Sequence, residues 1–450
     1  MARKSFFVHI SYSMLLAACA WLPLASVDAD AANNVFLQRK INSSTIPGNG
    51  DLNPYGIAFV PDGFPSGGVI SPGDVLVSNF NDIMNCQGRG TTIIQFTPNN
   101  PGNSVAPGVA AGMPGNATNF FTSSLFGLST ALGVLKGGFV IVGNVSSPDD
   151  SECGCGSTPS GGSLQVIDRN GNLVTTLTDN SGGNVFGSPW DLTIVNDKGS
   201  TAQVFVSNVL SGTVGRLDLV VGPTTVTIQR SFVVAQGYAT GLDPAAFVLG
   251  PTGLAVDHSG NLFVASTKDN AIFKVPNVTK LVPPAPVMGT PVFSDTRYLR
   301  GPLGLEFSPV GTLVTANGDA VNGDPTHPSE IVEFTTTGTF VRQFDLENMQ
   351  GGAFGLAVAV STGGGPIVFN FAAVDDITNS VIVHSFPVPS GPRPGRLARA
   401  EATASDSGAK ASARQLLPCG RGHVQQDARL SARRGMDRKH RQRHFGLLRL

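Results

Sequence analysis

Six times along the chain, an apolar run with a central glycine or aspartate is followed by a polar turn and a second apolar run. The first runs are NPYGIAFVP (53–61), LFGLSTAL (125–132), GSPWDLTIV (187–195), GPTGLAVD (250–257), GPLGLEFS (301–308) and GAFGLAVA (352–359). When they are aligned on Gly56, Gly127, Asp191, Gly253, Gly304 and Gly355, successive copies are 71, 64, 62, 51 and 51 residues apart. Self-similarity at such a period predicts one structural unit repeated along the chain.

Within each unit the later runs also have the length and composition of short β-strands. In the fourth unit, NLFVAS (261–266) and AIFKV (271–275) follow the first run and are separated by turn residues. Fourth runs are visible at 171–177, 225–234 and 338–344. Four short antiparallel strands repeated around an axis predict an all-β fold, a six-bladed β-propeller of four-stranded antiparallel blades.

The two ends of the repeated region predict how the ring closes. After the third strand of the sixth unit, SVIVHSF (380–386), comes PVPSGPRPG, whose prolines and glycines exclude a further strand. The segment NVFLQRKI (34–41) belongs to no unit and has the composition of a strand. We therefore predict that this N-terminal strand completes the last blade.

The N-terminal residues 1–31 have the organisation of a signal peptide. Arg3 and Lys4 precede a mostly apolar stretch at 6–25, and the small residues ADA at 29–31 suit cleavage. An alternative is the lipobox-like LAAC (16–19), in which Cys19 would be lipidated. In both cases we expect a secreted or periplasmic protein, and no later stretch reaches the ~20 apolar residues of a membrane span.

Charge divides the rest of the chain into two parts. Charged residues make up 14% of the sequence, with 55 Gly and 31 Pro, which suits many short strands joined by turns. From Gly391 onward there are 14 Lys and Arg against 4 Asp and Glu. We predict a propeller over 32–389 and a disordered basic tail over 390–450, since the tail lacks any strand or helix period. The acidic propeller argues against nucleic-acid binding.

The block GPTGLAVDHSGNLFVASTKDNAIFKV (250–275) resembles an NHL repeat. Asp269, Asn270 and Ile272 fill its third-strand element, DN-x-I. The resemblance is close in this unit, fair in the third and fifth, and loose elsewhere. It implies a six-bladed propeller but no single activity. The same resemblance assigns the neighbouring Asp257 and His258 to a hairpin turn rather than to a catalytic pair.

The resemblance extends to propeller enzymes, whose metal ligands provide a test. Gluconolactonase-like members hold a divalent metal with acidic and amide side chains placed just before several innermost strands. Here the positions before the aligned residues are Tyr55, Phe126, Trp190, Thr252, Leu303 and Phe354. These side chains do not offer the oxygen ligands that a hard divalent cation needs. Amidating-lyase relatives use histidines, but His258, His327 and His384 fall in different parts of three blades.

Two rings of side chains are candidate ligand-binding groups. Four aromatic residues at the innermost strands would form a rim around the channel: Tyr55, Phe126, Trp190 and Phe354. They suit recognition of a partner, or else they fill the channel as core. Four amides end the second strands: Asn79, Asn144, Asn208 and Asn317. They would hydrogen-bond a ligand, or else serve as turn residues.

Two loops suggest further stabilising sites. Cys86, Cys153 and Cys155 occupy the equivalent loop of the first two blades. A disulfide from Cys86 to either of the other two is the favoured pairing, and Cys153–Cys155 is the alternative. The segment NGDAVNGDP (317–325) places Asp319 and Asp324 where Ca²⁺ could bind, although a loop of ordinary turns explains the same residues.

Taken together, these features favour a binding function. We predict a monomeric exported propeller that acts as a binding scaffold for an envelope protein or a glycan. The alternative is a lactonase-like hydrolase or a lyase acting at the mouth of the channel. The Gly-x-Ser-x-Gly motif of serine hydrolases does not occur in the propeller region.

Overall fold

The chain folds into six four-stranded antiparallel sheets arranged as a β-propeller, as predicted. The computed structural model describes residues 39–97, 118–147, 159–182, 184–243, 246–282, 284–327, 330–346, 351–361 and 368–387. The predicted signal peptide (1–31) and basic tail (390–450) lie outside the described residues. Within the described ranges no helix is long and apolar enough to cross a membrane.

The first three blades follow one another along the chain. The first contains β2 (Leu52–Phe59), β3 (Val75–Asn81), β4 (Thr92–Phe96) and β5 (Thr118–Thr122). The second contains β6 (Leu128–Leu135), β7 (Phe139–Asn144), β8 (Leu164–Asp168) and β9 (Leu173–Leu177). The third contains β10 (Pro189–Val195), β11 (Thr201–Asn208), β12 (Thr213–Val221) and β13 (Val226–Gln236).

The remaining blades complete the ring. The fourth contains β16 (Pro251–Val256), β17 (Leu262–Ser266), β18 (Ala271–Val275) and β19 (Thr290–Phe293). The fifth contains β20 (Pro302–Phe307), β21 (Leu313–Asn317), β22 (Glu330–Phe334) and β23 (Phe340–Asp345). The sixth contains β24 (Ala353–Ser361), β25 (Val368–Asp375), β26 (Ser380–Pro387) and β1 (Arg39–Ser44).

The N-terminal strand completes the sixth blade, as the sequence predicted. Strand β1 pairs antiparallel with β26, and Ser43 lies opposite Val381. The described part of the strand, Arg39–Ser44, overlaps the predicted 34–41 and continues beyond it to Ser44. This pairing covers the outer edge of β26, which would otherwise present unpaired backbone groups.

Alternating side chains of each strand hold neighbouring blades together. In β11, Val204 and Val206 pack in a cluster shared with the second blade. Phe205, between them, packs in a cluster shared with the fourth blade. Because successive side chains of a strand point to opposite faces, one strand can contribute to both interfaces.

The aligned glycines allow neighbouring inner strands to approach closely. A Cβ atom built on Gly253 would lie 2.2 Å from the carbonyl oxygen of Leu303 in the next blade. One built on Gly355 would lie 2.0 Å from the carbonyl oxygen of Tyr55, across the closure between the last blade and the first. A side chain does not fit at these positions, which explains why the sequence repeats a glycine there.

A short hairpin between the third and fourth blades was not predicted. It pairs β14 (Gly241–Asp243) with β15 (Phe247–Leu249). Phe247 has a φ of 64°, which is unusual for a bulky residue. Its ring packs edge-on against Phe80 with the centroids 5.7 Å apart. The hairpin therefore adds an aromatic side chain to the centre of the ring.

Candidate functional site

Three of the four predicted rim aromatics meet at the centre of the ring. Tyr55 stacks on Phe354 with ring centroids 3.7 Å apart, and Trp190 meets Tyr55 edge-on at 5.9 Å. Phe80 stacks on the other side of Tyr55 at 4.5 Å. The exposed fractions of Tyr55, Trp190 and Phe354 are 4%, 2% and 7%. These residues fill the channel at the start of the inner strands and have little surface left for a partner.

Phe126 does not belong to this cluster. In the second blade Leu128 pairs with Asn144, as Pro54 pairs with Asn79 in the first, so Ser129 takes the place of Tyr55. An irregularity in the register between Leu128 and Leu132 displaces this blade from the alignment on Gly127. The ring of Phe126 is 42% exposed instead and lies under the Arg89 guanidinium, 4.7 Å away.

The side chains of the four predicted asparagines hydrogen-bond to backbone groups that precede inner strands in the chain. The Asn208 side-chain oxygen accepts the Ser188 N–H at 3.2 Å, and that of Asn317 accepts the Arg300 N–H at 3.0 Å. Asn144 donates to the Phe126 carbonyl at 3.2 Å, and Asn79 donates to the Thr45 carbonyl at 3.1 Å. All four are buried. These bonds give each amide a structural role, and ligand binding by the amides stays a prediction.

In the sixth blade the equivalent position is an acid. Asp375 pairs with Ala353 at the start of the inner strand, where the other blades have Asn or Ser. Its carboxylate accepts the N–H groups of Ile377 and Thr378 at 3.1 and 2.9 Å. Asn370 lies near the other end of β25 and lines a cavity there.

The main cavity opens at the end of the channel opposite the aromatic cluster. Its volume is about 700 Å³, and it lies among the later residues of the inner strands. A second cavity of about 20 Å³ lies between it and the aromatics, bounded by Tyr55, Trp190, Asp191 and Phe354. Aromatic side chains therefore nearly fill the channel at one end, and the main cavity occupies the other end.

Asp191 lies on the wall of both cavities, at a place where four of the other blades have glycine. One carboxylate oxygen accepts the Leu192 N–H at 2.8 Å, and the other accepts the Leu254 N–H of the next blade at 3.0 Å. Burial nevertheless raises the pKa of Asp191 to about 7, and the two backbone hydrogen bonds counteract only part of this effect.

Glu306 shares the wall of the main cavity with Asp191. Burial, together with the negative charge of Asp191, raises the pKa of Glu306 to about 8. The backbone N–H of Phe307 is the group that opposes this shift. Because each ionised carboxylate disfavours ionisation of the other, the pair retains a proton near neutral pH.

Three other ionisable groups line the main cavity. The Asp74 carboxylate accepts the Ser71 N–H at 2.8 Å and a Gln95 side-chain N–H at 2.6 Å, so it is held within its own blade. Asp62 and Lys136 also belong to the wall. Formal acidic groups outnumber basic ones in the lining, which gives the cavity a negative character.

An arginine outside the predicted calcium loop already forms an ion pair with one of its two acids. The Arg300 guanidinium donates to Asp324 at 2.6 Å and also forms an ion pair with Glu330. Hydrogen bonds from Thr326 and the charge of Arg300 lower the pKa of Asp324 to about 2. Burial raises the pKa of Asp319. Among the described residues no cluster of three or more metal-ligand side chains occurs, so the structure does not support calcium binding by Asp319 and Asp324.

The predicted disulfide involves residues that the structure covers only in part. Cys86 is buried, with 2% of its surface exposed, in the loop between β3 and β4. Cys153 and Cys155 lie outside the described residues. The choice between the pairings therefore stays a prediction.

The carboxylate pair was missed as a site from the sequence, although a signal was present. Asp191 interrupts the aligned glycines. Glu306 stands in GLEF, where three other blades have alanine at the same place: Ala58, Ala255 and Ala357. A charged residue within an otherwise apolar inner strand is the feature that could have indicated the cavity.

Comparisons with known proteins identify no family for the chain. No protein-family model matches the chain, and no curated protein matches it. A luciferin-regenerating enzyme is 10% identical, with a TM-score of 0.43 over 78% of this chain and 96% of that one. A calcium-binding regucalcin from Agrobacterium tumefaciens str. C58 is 12% identical, with a TM-score of 0.42 over 77% of this chain and 95% of its own.

A gluconolactonase from Xanthomonas campestris is similar to the chain at the same level. It is 12% identical, with a TM-score of 0.42 over 77% of this chain and 89% of that one. Identities and TM-scores this low support no transfer of activity, metal or substrate. The NHL repeat therefore remains a resemblance of sequence alone.

Proposed function

We propose that this chain is an exported β-propeller that binds a small polar or charged molecule, such as the end of an envelope glycan, in the main channel cavity. The observation that carries the proposal is the position of Asp191 and Glu306 on the wall of a concavity of about 700 Å³. A concave site in which a few polar groups converge is typical of small-molecule binding.

The burial of the aromatic cluster moves the proposed site away from the predicted rim. Tyr55, Trp190 and Phe354 stack on one another or on Phe80, so they support the channel rather than present a surface to a partner protein. Trp190 also borders the small cavity beneath Asp191. A ligand that enters the main cavity would therefore change the surroundings of this indole.

Trp190 makes a direct binding assay feasible. The sequence has two tryptophans, and Trp21 lies in the predicted signal peptide, so a protein cleaved after Ala31 would retain Trp190 alone. We would titrate the exported protein with glucosamine, N-acetylglucosamine, gluconolactone and galacturonate while recording its fluorescence and melting temperature. We expect at least one compound to change the emission of Trp190 and to raise the melting temperature.

A cavity-blocking variant provides the specificity test. Ala359 lines the cavity, and Ala359→Phe fills space without removing either carboxylate. Val310 is 83% exposed in the turn after β20 and does not line the cavity, so Val310→Phe is the matched control. Binding should be lost in the first variant and kept in the second. Equal binding by both variants, or no response to any compound, would overturn the proposed site.

A second candidate function is hydrolysis or elimination at the same cavity. The pKa values of Asp191 and Glu306 lie near neutral pH, so one group could donate a proton while the other accepts one. The substrate would be a lactone or a uronic-acid-containing polymer. Release of product from gluconolactone or polygalacturonate, lost in Glu306→Gln, would favour this function. Binding without turnover would favour the binding protein.

A further inference from the structure

The wall of the main cavity places apolar side chains next to the carboxylates of Asp191 and Glu306. The apolar side chains come from the inner strands of several blades, among them Leu132, Val134, Leu192, Leu254, Leu305 and Leu356. The wall therefore suits a molecule that has both an apolar body and a polar group.

The excess of acidic side chains in the lining indicates that the polar group of the ligand is positively charged. Neither Asp191 nor Glu306 forms an ion pair among the described residues. Lys136 is the basic side chain of the lining, against Asp62, Asp74 and the carboxylate pair. We propose that the ligand of the channel cavity is an organic cation, whose ammonium or guanidinium group pairs with Asp191 and Glu306 while its apolar body contacts the surrounding wall. This inference rests on the proposed binding function.

An inorganic cation fits the cavity less well. A divalent ion such as Ca²⁺ takes six to eight oxygen ligands at short distance. The described residues contain no cluster of three or more acidic, cysteine or histidine ligands, and a volume of about 700 Å³ far exceeds that of an ion. The same space accommodates an amine with an alkyl or aryl body.

Binding of a cation should release protons. Without a ligand, the mutual repulsion of Asp191 and Glu306 and their burial keep the pair partly protonated near neutral pH. A positive charge beside them favours the ionised forms, so binding would release about one proton. The other titratable groups of the lining are Asp62, Lys136 and Asp74, whose carboxylate accepts hydrogen bonds from Ser71 and Gln95. Affinity should therefore rise by up to about tenfold per pH unit between pH 6 and pH 8.

Three probes with the same body separate charge from shape. Phenethylamine, 2-phenylethanol and 3-phenylpropanoate each have a phenyl ring and a two-carbon chain, and they end in a cationic, a neutral and an anionic group. We would measure their binding to the exported protein by calorimetry and Trp190 fluorescence at pH 6, 7 and 8. We expect the amine to bind at least about tenfold more tightly than the alcohol at pH 8. Its affinity should rise with pH, whereas that of the alcohol should not.

Charge-neutralising variants locate the effect. Glu306→Gln keeps the size of the side chain, and we expect it to weaken amine binding by about tenfold or more and to flatten the pH dependence. Asp191→Asn should act in the same direction, although it loses one of two backbone hydrogen bonds. The matched control is Asp257→Asn, a carboxylate in the turn after β16 that does not line the cavity.

The outcomes distinguish this inference from the proposed function. Equal or tighter binding of the alcohol or the carboxylate, or amine binding unaffected by Glu306→Gln, would overturn the organic-cation inference and leave the cavity as a binding site. Binding that persists in Ala359→Phe would instead overturn the assignment of the main cavity as the binding site. Failure of all three probes to bind would overturn the inference even if a glycan binds.

Discussion

Tyr55 of the first blade stacks on Phe354 of the last, with ring centroids 3.7 Å apart and ring planes inclined by 8°. The two residues are about 300 positions apart in sequence and meet where the ring closes. Both are buried, and Tyr55 is flanked on its other side by Phe80. This stack joins the ends of the propeller through side chains, as the pairing of β1 with β26 joins them through the backbone.

Removal of the stack should strongly destabilise the fold. Phe354→Ala leaves a void in the central cluster, and we expect it to lower the free energy of unfolding by about 3 to 5 kcal/mol. Tyr55→Phe is the control because it keeps the stacked ring and loses only the hydroxyl, which accepts a bond from Asn53 at 3.4 Å. Chemical denaturation of both variants checks this. A mild effect of Phe354→Ala would show that the stack contributes little.

A methyl group at the ring closure should be poorly tolerated. Gly355→Ala would place Cβ against the Tyr55 carbonyl, so we expect the inner strands to separate at a cost of about 1 to 3 kcal/mol. Gly48 has no atom within 4 Å of the equivalent Cβ position. Gly48→Ala should therefore change stability by less than about 0.5 kcal/mol. The melting temperatures of the two variants test this prediction. Equal melting temperatures would show that the inner strands separate at no cost at this point and would contradict it.

Stability should fall as the pH rises from about 5 to 8. Burial raises the pKa values of Asp191 and Glu306 to about 7 and 8, whereas in the unfolded chain both carboxyls have ordinary values near 4. The folded state therefore holds more protons in this window, so unfolding releases protons and is favoured at higher pH. Melting curves at pH 5, 6, 7 and 8 measure the slope.

Glu306→Gln should reduce this slope without abolishing it. Glu330 contributes to the remainder, because burial raises its pKa to about 7 despite the nearby Arg300. The melting temperature of the double variant, Glu306→Gln with Glu330→Gln, should therefore change less with pH than that of either single variant. An unchanged slope in Glu306→Gln would contradict the raised pKa of this carboxyl.

Cys86 should be linked to Cys153 or Cys155 in the exported protein. Such a bond would join long loops of the first two blades, and its reduction should lower the melting temperature because it frees a large loop of the unfolded chain. Mass spectrometry of peptides from a non-reducing digest identifies the pairing. Recovery of a Cys153–Cys155 link in place of one to Cys86 would establish the alternative.

The closing strand should be needed for a stable ring. Deletion of residues 1–44 removes β1, exposes the edge of β26 and should lower the melting temperature by about 5 °C or more, with a tendency to aggregate. Deletion of residues 1–31 keeps the strand and serves as the control. Similar melting temperatures for the two proteins would mean that β1 adds little stability.

The sequence by itself determined the number of blades, most of their strands and the strand that closes the ring. These features could be predicted because they depend on residues that are close together in the sequence. Alternating apolar residues, turn residues and a central glycine recur along the chain, since each blade packs against its neighbours in the same way. The second blade was the exception. Its strand pairing is irregular between Leu128 and Leu132, and the residue pattern does not show this irregularity, so the alignment wrongly assigned Phe126 to the aromatic rim. The hairpin that contains Phe247 was missed because each of its strands has three residues. The fourth strands β5 and β19 were also missed.

Only the tertiary structure decided which end of the channel is open. Tyr55, Trp190 and Phe354 could line a rim or fill a core, and their mutual stacking in space selects the core. Asp191 and Glu306 are more than 100 residues apart, and they become a pair because the third and fifth blades curve around one axis. Their raised pKa values depend on burial by residues from other blades, and burial of that kind arises only when the ring is closed.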